Sequence, residues 1–119
     1  MKSATDPRHV IRRRIVKELF ANEFASQLAS PTTTKIIKKS KKLDELIKNS
    51  AGQWPIDRIN KVDLAILRLG VWEILENKTS FKVIIDEAIE LAKEYGSEKS
   101  PPFINAVLGN IVNEKNRKN

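Results

Sequence analysis

Apolar residues recur along this chain with the period of a helix, and nowhere with the alternation of a strand. Phe81, Ile84, Ile85, Ala88, Leu91, Ala92 and Tyr95 follow the i, i+3, i+4, i+7 rule. That spacing predicts an amphipathic helix ending at Gly96. Upstream, ten of the 14 residues from Val62 to Leu75 are apolar, and they surround the helix instead of striping it. Such a helix is buried on most sides. Asn60 is placed to cap it, with Asp63 at the capping-box position. Gly70 in its middle costs about 1 kcal/mol against alanine, so a neighbour is expected to pack closely there.

The remaining elements follow from punctuation. Asp6-Pro7 is a helix start, with the helix running to about Leu28. The breaker-rich stretch Ala29–Thr33 reads as a linker, followed by a second helix over about 34–49. "AGQWPIDRI" reads as a loop, and Ser100 as the cap of a last helix starting "PPFINAVL". The prediction is a single all-α domain over 1–119: five helices in two packed groups, at about 7–50 and 56–113, with a frayed basic tail at 114–119.

Composition narrows the class. The chain has no cysteine, which excludes disulfides and thiolate metal sites. No apolar run approaches the roughly 18 residues of a membrane helix, and Met1–Pro7 lacks a signal-peptide core. A cytoplasmic location is expected. Charge adds more. Residues 1–50 hold 12 Lys/Arg against 5 Asp/Glu, whereas residues 51–119 hold 10 of each, so the whole excess of +7 lies in the first half. An asymmetric basic surface points to a polyanion, nucleic acid first and an acidic membrane second.

The first helix concentrates this charge. Arg12, Arg13 and Arg14 lie in its first two turns, where the helix dipole disfavours cations by up to about 1 kcal/mol each. Residues 8, 12, 15 and 19 form one stripe, expected to be core at Ile15 and Leu19 and basic at Arg8 and Arg12, with His9, Arg13 and Lys17 beside it. Phe20 and Phe24 are expected with the core. Arg14 has Glu18 one turn on and reads as the most structural of the arginines. A phosphate backbone would offset the unfavourable placement. Lys38, Lys39, Lys41 and Lys42 form a second, weaker basic stretch. Asp86, Glu87, Glu90 and Glu94 read as a solvated helix face, with the only histidine, His9, far away in sequence. Asn105 reads as a structural hydrogen-bonder. With no nucleophile–base pair and no phosphate loop, an enzyme is not expected, nor a cofactor or metal.

"VDLAILRLGVWEI" and "IDEAIELAKEYG…FINAVL", after an arginine-rich first helix, resemble the NusB family of transcription antitermination factors. The resemblance covers about residues 7–28 and 36–113. It implies two small helical bundles, the N-terminal one shortened because the Ala29–Thr33 linker stands where a further helix is usual. It implies a non-enzymatic protein that binds single-stranded boxA RNA in nascent transcripts such as ribosomal RNA leaders. The implied partners are a small-subunit ribosomal protein acting as NusE and the transcription elongation complex. The family's arginine motif falls on Arg8, Arg12, Arg13 and Arg14, and its partner-facing acid on Asp63, where substitution should matter little for stability. The resembled fold brings Lys99 and Phe103 close to the arginine face, with Tyr95 a turn earlier, extending the RNA surface from Arg8, Arg12 and Lys17. Ala106 replaces a usual glycine, which implies looser packing at a helix crossing, and Lys99 replaces a frequent acid. Two other readings fit the same residues: a ribosome-assembly protein, monomeric or dimeric, and a stand-alone relative of the N-terminal domain of ribosomal RNA cytosine methyltransferases.

Overall fold

Helix α4, Lys61–Glu76, is the element around which the others gather. In the computed structural model, which describes residues 6–52 and 54–118, it is preceded by α1 (Pro7–Asn22), α2 (Pro31–Lys38), α3 (Ser40–Ser50) and a 3-10 turn at Ile56–Arg58. It is followed by α5 (Phe81–Tyr95) and α6 (Ser100–Lys118). Helix α4 contacts all five other α-helices. Its burial runs almost all the way round, from Asp63 through Leu67 and from Leu69 through Val71, with Ile74. Ile15, Leu19, Ile36, Leu43 and Ile47 of α1–α3 join Ile84, Leu91, Ile104 and Leu108 of α5 and α6 in one continuous core. A Cβ on Gly70 would stand 3.0 Å from Leu108 Cδ1, so the glycine admits α6 against α4, as its position in the sequence implies.

Several boundaries depart from the sequence expectation. Helix α1 stops at Asn22, six residues early. Glu18 accepts hydrogen bonds from Ser30 Oγ (2.7 Å), Thr33 Oγ1 (2.6 Å) and the Ser30 amide (3.3 Å), pinning residue 30 against α1. Twelve residues of continuous helix would carry Ser30 about 18 Å away. Phe24 and Leu28 are left in solvent as a result, Phe24 edge-on to Phe20 at 5.1 Å.

The expected linker is helical from Pro31, with Thr33 fully buried, which starts the second helix three residues early. Ser30-Pro31 is a helix start that reads equally well as a breaker. The expected second helix also breaks at Lys39, whose φ and ψ are −100° and 6°, where Ser40 Oγ donates to the Ile37 carbonyl at 2.7 Å, so the described residues form six α-helices where five were expected. Gly96 does end α5, but for want of space: its Cβ would meet Ser100 Oγ at 2.4 Å. Ser100 is the first residue of α6, and its hydroxyl accepts from the Ser97 amide in the loop. The tail expected to fray continues α6 to Lys118. Asn105 and Ala106 are exposed, so the amide has no core role and Ala106 lies at no crossing.

Two glycine substitutions should move stability in opposite directions. Gly70→Val should lower the urea unfolding free energy by about 2–3 kcal/mol through overpacking against Leu108. Gly109→Ala, with nothing within 4 Å of its Cβ, should raise it by up to about 1 kcal/mol.

Candidate nucleic-acid interface

The inward face of α1 is His9, Arg12, Ile15, Val16 and Leu19, so the stripe read in the sequence holds at 12, 15 and 19, with His9 inward in place of Arg8. Arg12 is an interior residue. Its Nε and Nη2 donate to the two carboxylate oxygens of Glu73 on α4 at 3.0 and 2.8 Å, and Nη1 lies 3.4 Å from Glu87 Oε1 on α5. His9 is buried, with Nδ1 at 2.9 Å from Glu87 Oε1 and Nε2 at 2.8 Å from Glu94 Oε1. The acidic residues of α5 are thus not one solvated face, since Glu87 is wholly buried and the histidine distant in sequence lies against it. Arg13 pairs with Glu94. Carboxylates of α4 and α5 therefore stabilise two of the three arginines that strain the front of α1, and the third, Arg14, meets Glu18 within the helix. Acid contacts from α4 and α5 lie outside any pattern within α1, so the sequence pattern could not show them.

The rest of the α1 surface is open. The Arg8 side chain is 81% exposed and, among the described residues, bonded only to the capping Asp6, whose carboxylate also accepts from the Arg8 amide at 2.9 Å. Arg14 is 70% exposed, with a 3.3 Å contact to Glu18, a carboxylate already engaged by Ser30 and Thr33. The arginine that looked most structural is thus among the most available. Lys17 stands over the Tyr95 ring, 5.7 Å from its centroid, so Tyr95 does join the basic helix.

Lys99 and Phe103 belong to a different place. They line a hollow of about 380 Å³ with Trp54, Arg58, Asn60 and Asp63, at the opposite end of α4 from Glu73. Trp54 is an exposed ring, and neither it nor Arg58 was singled out from the sequence, because an irregular loop carries no periodic signal. Asp63 is 6% exposed. Its amide donates to Asn60 Oδ1 at 2.8 Å, and Asn60 Nδ2 donates to its Oδ2 at 3.3 Å, while Oδ1 is buried without a hydrogen-bond partner. Burial pushes the Asp63 carboxyl above its ordinary value, and the nearby Ser100 hydroxyl offsets only part of that. Burial argues against the expectation that substitution there costs little stability, because Asp63→Lys would put a longer cation in place of a carboxylate in the same confined position.

The arrangement is that of a small all-helical protein with a basic first helix clamped to a buried central one. A model of the NusB family matches residues 4–113. The chain is 39% identical over 127 residues to the transcription antitermination protein NusB of Campylobacter curvus, covering 90% of this chain and 97% of that one. It is 54% identical over 71 residues to that of Finegoldia magna, covering 59% of this chain and 52%, about half, of that protein. A solved structure of T. maritima NusB superposes with a TM-score of 0.78 at 31% identity, covering 96% of this chain and 94% of that one. The chain belongs to the NusB family. Among the described residues, no helix is long and apolar enough to cross a membrane.

The ionic clamp sets two expectations. Arg12→Ala should lower stability by about 3 kcal/mol, because Glu73 and Glu87 would lose their guanidinium partner in the interior. Arg8→Ala should leave the unfolding midpoint unchanged. The second expectation concerns acid. The Arg13 guanidinium, and after it His9, holds the Glu94 carboxyl below its ordinary value of 4.5 against the pull of burial. Burial likewise pushes Glu23 up, but Arg68 and Lys61 outweigh it and leave it below 4.5. Carboxyls lowered by folding stabilise the fold above the unfolded value and lose that contribution as pH falls through the folded one. The melting temperature should therefore fall on acidification below about 4.5, and Glu94→Gln should flatten that fall.

Proposed function

We propose that this protein is an RNA-binding transcription antitermination factor. In this reading it recognises a boxA-type single strand in nascent transcripts such as ribosomal RNA leaders, together with a small-subunit ribosomal protein acting as NusE. The supporting observation is the pairing of two kinds of surface on one chain. The open cations Arg8, Arg14 and Lys17 suit a phosphate backbone, and the hollow holding Trp54, Phe103, Arg58 and Lys99 offers rings and cations to unstacked bases. Arg12 and Arg13 act by holding α1 in place. Asp63 lines the same hollow, and its carboxylate there suits a cationic group of the protein partner. The family relationship supports the same reading, and the protein works by binding, without catalysis.

RNA affinity measured against salt tests the nucleic-acid part. Arg8→Glu with Arg14→Glu should weaken binding of a boxA-type oligonucleotide, and Lys99→Glu should reduce the salt slope by about one counterion. Parent-like binding by the Lys99 variant, with loss in the arginine variant, would confine the site to α1. Parent-like binding by both would reject it. For the partner, Asp63→Asn should reduce affinity several-fold and leave RNA binding by the isolated protein intact. Because burial raises the Asp63 carboxyl, the parent's affinity for the ribosomal protein should increase as pH rises through its titration. The asparagine variant should lose that component.

A further inference from the structure

The cations at the front of α1 are explained largely by carboxylates of α4 and α5. The same unfavourable placement occurs a second time, without that explanation. Lys41 and Lys42 stand in the first turn of α3, where the helix dipole again disfavours positive charge, and that turn contains no acid. The break at Lys39 brings them together with the end of α2, so that Lys38, Lys39, Lys41 and Lys42 line one open hollow of about 650 Å³ with Glu45 and Leu46. Lys39 lies 3.8 Å from Glu76 at the end of α4. Lys38, in the last turn of α2, is favoured by that helix end. Among the described residues, no ion pair within 4.0 Å accounts for Lys41 or Lys42.

The position of this elbow relative to α1 gives it direction. Arg12 binds Glu73 and Lys39 binds Glu76, so the two basic elements flank the last turn of α4, at residues three apart on one helix face. Helices α1 and α4 run antiparallel, since Arg12 meets Glu73 while Glu23 meets Arg68 and Lys61. The elbow itself lies along α1: Ile37 and Ser40 line one pocket with Leu19, Asn22 and Glu23 at the end of that helix, and Arg68 joins Glu23 to Asp44 of α3. The hollow with Lys99 and Phe103 is at the other end of α4.

We propose that the lysine elbow at the α2–α3 junction is a second phosphate-binding surface, over which single-stranded RNA bound along the open cations of α1 continues. This extends the RNA-binding reading and rests on it. The elbow carries cations and no exposed ring, so it contacts backbone without reading bases, and its contribution is independent of sequence and sensitive to salt.

The test uses the full chain and two single-stranded RNAs, a boxA-type element alone and the same element extended by an unstructured tract at either end. The variant Lys38→Gln/Lys41→Gln/Lys42→Gln alters exposed side chains, and its melting temperature checks folding. With the extended RNA its salt slope should be shallower than the parent's by about two, since three single-strand contacts contribute about 0.7 each. Between about 50 and about 200 mM salt the parent should lose roughly 20-fold more affinity than the variant. The element alone should bind both proteins more nearly equally. The Lys→Arg triple variant should restore the parent slope. Parent-like slopes for the glutamine variant, with loss in the Arg8/Arg14 variant, would overturn the elbow while leaving the RNA reading intact. Absence of RNA binding by the parent would overturn both. Unchanged RNA binding with lost binding to phosphatidylserine vesicles would make the elbow a membrane patch and overturn the proposal.

Discussion

The Glu87 carboxylate is almost wholly removed from water, and two side chains of α1, His9 and Arg12, reach its Oε1. Burying a carboxylate without partners costs several kcal/mol, so the position of α1 is tied to that of α5. Arg12 then ties both to α4 through its two bonds to Glu73. Apolar packing holds α1 to α4 lower down, at Ile15, Val16 and Leu19, but it is not directional and would tolerate a rotated helix. The guanidinium fork has one geometry for a carboxylate. It thereby sets which face of α1 points outward, and so which cations can meet an external anion.

The fold was readable in the sequence where burial follows a helical period. The apolar surround of α4, the stripe of α5 and the close approach at Gly70 depend on local spacing and proved sound. Local signals failed where a residue's partner comes from another element. Ser30-Pro31 looks the same as a breaker or as a helix start, and it is Glu18, twelve residues earlier, that decides. Arg8 and Arg12 share a stripe by spacing, yet one is in solvent and the other in the interior, because only Arg12 finds Glu73. The candidate site was legible as a charge type and a helix; its division into clamping and open cations was not. Trp54 and Arg58 were missed because they sit in a loop with no period to expose them.

Seen along α4, the molecule separates its polar chemistry. One end holds Asp63 with the aromatic hollow, and the other holds Glu73 and Glu76 with cations from α1 and from the α2–α3 junction. Between them the helix is packed on nearly every side. A ligand meeting both ends must therefore pass round the outside of the protein, over side chains of α1 or the turns that flank it.

The clamp also has a consequence for synthesis. His9, Arg12 and Arg13 find their acids 61 to 85 residues further along the chain. A ribosome that has made α1, α2 and α3 has not yet made Glu73, Glu87 or Glu94. The first half therefore emerges carrying the protein's whole positive excess, with the acids of its clamp still to be translated. Loops of that length must close before α1 gains its ionic contacts with α4 and α5. The ionic clamp on the first helix is therefore complete only once the fifth has been translated, and until then the nascent chain is a polycation held beside the RNA of the ribosome that makes it.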